Sequence, residues 1–193
     1  MSGKILEKTD QELVALALAD QKDFLFLVKR YQNQLIQYIC RISNVAKEDA
    51  EDILQEVFLK VYRNLNSYNP KLKFSSWIYR ITHNEVISAY RKKKNRPQTI
   101  DLDLDFNLIE TLADDFDIKE KIDQNFLKEK ISQVLLKMDH KYAEVLVLYY
   151  FEQKDYQEIS DIIKKPKGTV ATYLNRAKKQ FNKILTKENI KFH

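Results

Sequence analysis

Apolar residues recur at three- and four-residue steps along most of this chain, the spacing that lines one face of an α-helix. Thr9 and Glu12 have the spacing of a capping box ahead of LVALALA at 13–19, and Asp20 with Asp23 offers a second start before an apolar-periodic stretch reaching about Ile42. Ile53, Val57, Val61 and Leu65 predict a third helix, from about Lys47, opened by Glu48, Asp49, Glu51 and Asp52 where a helix N-terminus favours negative charge. Asn69-Pro70 ends that run. The pattern resumes from about Phe74 through Trp77, Ile78, Ile81 and Ile87 and closes in the basic run RKKKNR at 91–96, giving a four-helix N-terminal unit.

Residues 97–117 break this pattern. Eight acids stand between 101 and 120 against Lys119 alone, and DLDLDF at 101–106 alternates as an edge strand would, without an evident partner strand. A flexible acidic linker is the reading that fits. Helical periodicity returns at about Ile118 with Ile122, Phe126, Ile131 and Leu135, then Val145, Leu146, Leu148 and Tyr149. The expected fold class is therefore all-α. Two small helical domains, 1–96 and 118–193, are joined by the acidic linker 97–117.

The end of the second domain has its own signature. Asp155 is placed as an N-cap with Glu158 three residues on, Ile159, Ile162 and Ile163 share one side, and Pro166 and Gly168 interrupt the helix. A second helix begins near Gly168 or Thr169, with Val170, Leu174, Ala177, Phe181 and Ile184 as its buried stripe. Ala171, Thr172, Asn175, Arg176 and Lys179 fall on the opposite face, and residues 164–183 carry seven Lys or Arg and no acid. Two short helices with a tight break and a cationic second helix outline a helix-turn-helix, whose second helix suits the DNA major groove.

Composition narrows the possibilities. The chain has 193 residues, a net charge of +5 and a pI near 9.0, which favours a polyanionic partner without specifying one. Cys40 is the only cysteine, no secretory leader pattern opens the chain, and its longest apolar run, VLVLYYF at 145–151, is too short to span a bilayer, so a cytoplasmic location without membrane insertion is expected. Gly3 and Gly168 are the only glycines, which excludes Walker-type and dinucleotide-binding loops. His83, His140 and His193 lack metal-ligand spacing and are expected to be ordinary surface residues. No catalytic, metal or cofactor site is expected.

Residues 68–96 interleave Tyr68, Phe74, Trp77, Tyr79 and Tyr90 with Lys71, Lys73, Arg80, Arg91 and the basic run. Unpaired bases stack on aromatic rings at about 1–3 kcal/mol each while cations follow the phosphates, so this mixture suits a single strand. Tyr68, Asn69 and Phe74 sit at a break where exposure is expected, whereas Trp77 divides between core and surface readings.

Most of the chain resembles bacterial RNA polymerase sigma factors of the extracytoplasmic-function group. DAEDILQEVFLKVYRNLNSYNPKLKFSSWIYRITHNEVISAYRKKK at 49–94 is similar to their region 2, and YQEISDIIKKPKGTVATYLNRAKKQF at 156–181 to their region 4.2. The resemblance implies a noncatalytic subunit that binds core RNA polymerase, through its beta-prime and beta subunits, and promoter DNA; an anti-sigma partner is also consistent with it. Asp49, Asp52, Gln55 and Glu56 match the polymerase-docking helix. Tyr68, Asn69, Lys73, Phe74, Trp77, Arg80, Asn84 and Arg91 match the part that captures the unpaired minus-ten element, and Lys167, Thr169, Ala171, Thr172, Arg176 and Lys179 the part that reads the minus-35 duplex. After GTV the family usually has a cation, then Ser, then Arg, where this chain has Ala171, Thr172 and Tyr173, so two phosphate partners are missing. Tyr173 is expected to pack beside Val170 and Leu174, and Ala171 to suit contact with a thymine methyl.

Fully extended, 97–117 reaches about 70 Å at 3.3–3.6 Å per residue, comparable with two helical turns of DNA. Without the resemblance, the same residues also fit a helix-turn-helix regulator acting without polymerase, or a helical adaptor for acidic protein surfaces.

Overall fold

The computed structural model describes residues 8–43, 45–92 and 124–187, with side chains described for 8–43, 45–89 and 129–187. The acidic stretch 97–117, together with the linker expected there, lies outside the described residues.

Eight α-helices form among the described residues, with no strand: α1 (Asp10–Ala19), α2 (Phe24–Ser43), α3 (Lys47–Asn64), α4 (Phe74–Lys92), α5 (Gln124–Lys137), α6 (His140–Tyr150), α7 (Tyr156–Ile163) and α8 (Lys167–Lys187). Short 3-10 turns, Gln21–Asp23 and Leu65–Ser67, precede α2 and follow α3.

Local chemistry explains the starts. The capping box ahead of α1 forms as expected, with the Glu12 backbone N–H donating to Thr9 Oγ1 and the Thr9 N–H to Glu12 Oε2. The expected stripe of α3 is buried at Ile53, Val57 and Val61 and continues in Leu65, packing against Leu27, Leu35 and Ile39 of α2 and Phe74, Ile78 and Val86 of α4 as members of one core. Arg30 of α2 anchors α1 through Asp10 at 2.9 Å, and the Tyr31 hydroxyl donates to the same carboxylate at 2.6 Å.

The second group of helices is built around α6. Ala143 through Leu148 are all buried, so α6 has no solvent-facing stripe over these two turns. A helix that is apolar all round belongs inside a structure. Here α8 lies on one side of it and α2 of the N-terminal group on another. The core of α8 holds Val170, Leu174, Ala177 and Phe181 as expected; its last buried position is Leu185, with Ile184 only partly covered.

The two groups touch directly, α4 on α7 and α2 on α6 and α5. The sequence pattern alone did not indicate this contact, because both faces involved read as ordinary core stripes.

Candidate nucleic-acid interface

The helix-turn-helix starts from a reciprocal cap. The Glu158 N–H donates to Asp155 Oδ1 at 2.8 Å and the Asp155 N–H to Glu158 Oε2 at 3.2 Å. That backbone hydrogen bond from Glu158 is the main reason the Asp155 carboxyl titrates below its ordinary range. Helix α7 ends at Lys164, which adopts the left-handed conformation with φ 53°, and Ser160 Oγ closes the turn by donating to the Lys165 carbonyl at 2.6 Å. The break therefore lies at Lys164–Pro166, and Gly168 is already inside α8, one residue earlier than the sequence pattern placed the start.

On α8 the face away from the core is open. Lys167, Thr172, Asn175, Arg176 and Lys179 are exposed, while Thr169 and Ala171 are half-buried. Thr172 Oγ1 donates to the Gly168 carbonyl at 2.8 Å, which leaves its oxygen lone pairs to accept from a base edge. Tyr173 is half-buried against the core and meets Tyr142 edge-on, ring centroids 5.6 Å apart. Tyr142 in turn accepts from Arg176 Nη1 at 3.4 Å, which raises the pKa of that exposed guanidinium. The aromatic at 173 thus belongs to a side-chain stack that flanks Arg176.

The aromatic segment of the N-terminal group differs from expectation. Phe74 is 1% exposed and Tyr68 8%, so neither offers a free ring face. Phe74 is enclosed by Tyr31, Tyr68 and Trp77 at centroid separations of 5.5, 5.3 and 5.6 Å, and the Tyr68 hydroxyl donates to the Leu72 carbonyl. The turn between them is tied by Asn69, whose carbonyl accepts from Leu72 N–H and whose Oδ1 accepts from Lys71 N–H, both at 3.0 Å. This Asx-type turn folds the two aromatics inward, where a looser break would have exposed them. Trp77 is half-buried at the edge of this cluster, Asn69, Lys73 and Asn84 are exposed, and Arg80 is half-buried. Arg91 falls in α4, with its side chain outside the described residues.

On α3, Asp52, Gln55 and Glu56 are exposed and Asp49 is half-buried. Leu59 and Tyr62 continue the same side of the helix and are exposed as well, at 45% and 38%. Leu59 lies four residues beyond Gln55 and three beyond Glu56, and Tyr62 three beyond Leu59, a helical spacing available in the sequence.

A polar cluster between the two helix groups was not anticipated. Glu144 of α6 is buried and accepts from the Tyr38 hydroxyl at 2.7 Å; His83 Nδ1 meets the same oxygen, and His140 Nδ1 lies 3.9 Å from the other. His83 is therefore a largely buried partner of this carboxylate where a surface residue was expected, while His140 stays 30% exposed at its edge; His193 lies outside the described residues. Glu152, just after α6, is held by Arg41 Nη1 at 2.8 Å and by the Tyr79 hydroxyl at 2.5 Å. Burial raises the Glu152 pKa despite the Arg41 charge, and burial likewise raises those of Tyr38 and Tyr79. Lys154 lies 4.6 Å over the Tyr79 ring and is pushed down by burial, and Lys73 Nζ reaches Glu158 at 3.4 Å and Asp155 at 3.7 Å. The signal in the sequence was a lone acid inside the apolar run of α6 and Arg41 within the apolar stretch 38–42 at the end of α2.

The family model for Sigma-70 region 2 matches residues 27–96, and that for Sigma-70, region 4 matches residues 128–181. The ECF RNA polymerase sigma factor SigW of Bacillus subtilis (strain 168) is 34% identical over 176 residues, covering 86% of this chain and 90% of the relative. Two solved structures share the fold. One is CnrH in complex with the cytosolic domain of CnrY, with a TM-score of 0.67, 22% identity and coverage of 93% of this chain and 98% of that one. The other is the sigma factor RpoE in complex with the anti-sigma factor NepR from Bartonella quintana, with a TM-score of 0.66, 17% identity and coverage of 86% and 98%. Matched in both conserved regions, in the same order and over nearly the full length of SigW, the chain belongs to the ECF group of the sigma-70 family of RNA polymerase sigma factors.

Proposed function

We propose that this chain is a noncatalytic promoter-specificity subunit of a cytoplasmic RNA polymerase, and that the polymerase performs the chemistry. The observation that carries the reading is the presence of three separate surfaces on one all-helical scaffold: the acidic side of α3, the exposed Lys73 with the half-buried Trp77 at the start of α4, and the polar and cationic face of α8.

The division of labour follows from their chemistry. Asp49, Asp52, Gln55 and Glu56, extended by Leu59 and Tyr62, form a mixed acidic and apolar strip suited to a protein partner, here the core polymerase. Trp77 presents the ring edge and face against which an unpaired minus-ten base stacks, with Asn69, Lys73, Arg80, Asn84 and Arg91 toward the strand. Tyr68 and Phe74 serve that site by fixing the Trp77 ring from behind. On α8, Lys167, Arg176 and Lys179 take phosphates of the minus-35 duplex, while Thr169, Ala171 and Thr172 approach base edges. Residues 1–96 and 118–193 are the two reading domains and 97–117 connects them. The solved relatives bound to CnrY and NepR support an anti-sigma partner for this chain too.

Runoff transcription with purified core polymerase and fragmented genomic DNA tests the function. Start sites that appear only when the chain is added, sharing two upstream elements, are the expected result. No chain-dependent transcript on any template, combined with tight binding of a palindromic duplex by the chain alone, would instead identify a regulator acting without polymerase.

A further inference from the structure

We infer that Tyr142, at the start of α6, is a positioning residue for Arg176 of α8: held in place by Tyr173, it orients the Arg176 guanidinium toward a backbone phosphate of the duplex. The inference rests on the proposed contact of α8 with the minus-35 duplex and names what orients one part of that contact.

Arg176 is exposed, and its Nη1 donates to the Tyr142 hydroxyl at 3.4 Å, a long hydrogen bond that ties the guanidinium without enclosing it. The hydroxyl is a fixed point because its ring is. Tyr142 and Tyr173 are both half-buried against the core, and their rings meet edge to face, centroids 5.6 Å apart and planes at 87°. Lys141 Nζ stands over the Tyr142 ring at 4.8 Å. Tyr173 lies three residues before Arg176 on α8, so the ring that holds Tyr142 and the cation that Tyr142 holds are neighbours on one side of the helix.

The chemistry of the tie suits a cation that has to stay available. A carboxylate would orient Arg176 and cancel its charge, whereas a neutral phenol orients it and leaves the charge whole. Among the described residues no carboxylate pairs with Arg176. A guanidinium has five N–H groups, so after one is given to Tyr142 the edge formed by Nε and Nη2 is still complete, and that edge matches two oxygens of one phosphate. Lys167 and Lys179 share the exposed face as point charges without a planar fork. An Arg oriented beforehand loses less rotamer freedom on contact, which corresponds to about 2- to 12-fold in duplex affinity.

The test uses the full chain and two measurements. In the first, the heteronuclear NOE of the Arg176 Nε–H, assigned by its disappearance in Arg176→Ala, reads guanidinium order without DNA. It is expected to fall in Tyr142→Phe, which keeps the ring and removes the hydroxyl, and in Tyr173→Leu, which keeps apolar packing and removes the ring edge. The backbone amides of α8 should hold their values in both. In the second, fluorescence anisotropy with a labelled mixed-sequence duplex compares the parent, Tyr142→Phe, Arg176→Ala and the double variant; phosphate contacts are independent of sequence, so no promoter is needed. Tyr142→Phe is expected to weaken binding about 2- to 12-fold in the parent and to add nothing in Arg176→Ala. Equal loss from Tyr142→Phe in both backgrounds assigns it a merely structural role and overturns the inference. An Arg176 Nε–H as mobile with the Tyr142 hydroxyl as without it does the same, and an Arg176 that stays ordered in Tyr173→Leu removes Tyr173 from the support. An Arg176→Ala protein that binds duplex as the parent does overturns the duplex contact itself, and the inference with it; because the NOE is read without DNA, that failure is told apart from loss of the anchor.

Discussion

Phe74→Ala and Trp77→Ala separate a core aromatic from one proposed to face DNA, although the two are three residues apart and similar in chemistry. Phe74 is 1% exposed and packs edge-on against Tyr31 and Tyr68, so its removal leaves a cavity among three rings. Phe→Ala truncations in cores cost about 3–5 kcal/mol. At about 4 °C or more per kcal/mol for a domain of this size, melting should fall by at least about 12 °C. Trp77 is only half-buried, so its truncation should shift melting by much less, while removing a stacking surface worth about 1–3 kcal/mol per base. That corresponds to roughly 5- to 150-fold weaker capture of the open strand. Circular dichroism melts give the first quantity, and 2-aminopurine fluorescence at the minus-ten element, read in the assembled polymerase well below each variant's melting point, gives the second. A Phe74→Ala protein that melts within about 3 °C of the parent yet fails to open promoters would refute the placement of Phe74 and return it to the DNA surface.

Other surfaces make separate predictions. Arg176→Ala and Lys179→Ala should each flatten the logarithmic salt dependence of duplex binding by about 0.9 without changing which sequence is preferred; an unchanged slope removes the phosphate role. Asp155→Ala should lower stability by about 0.5–2 kcal/mol by uncapping α7, whereas Asp155→Asn should retain most of it, as read in urea melts. Burial raises the Glu152 pKa, so the folded chain binds more protons than the unfolded one from about pH 4.3 upward, and stability from this group declines as pH rises through that window and is level above the raised value. Arg41, Tyr79 and Lys154 face this carboxylate, and Glu152→Gln should flatten the slope; a slope that persists unchanged assigns it to another group.

The helices, their caps and the buried stripe of α8 are legible in the chain's order of residues, because these rest on interactions within a few residues: Thr9 with Glu12, Asp155 with Glu158, and Val170 to Phe181 on one face. The family is legible there too, since the motif residues of both regions stand in order along the chain. Local pattern misplaces what depends on packing between segments. Tyr68 and Phe74 looked exposed beside a break, but the turn at Asn69 folds Tyr68 against Phe74, and Phe74 onto Tyr31 of another helix. His83 looked like a surface residue until α6 brought Glu144, 61 residues away in sequence, against it. That Lys73 faces carboxylates of α7 comes from packing alone, because no local rule brings together groups that meet through the docking of two helix faces distant in sequence.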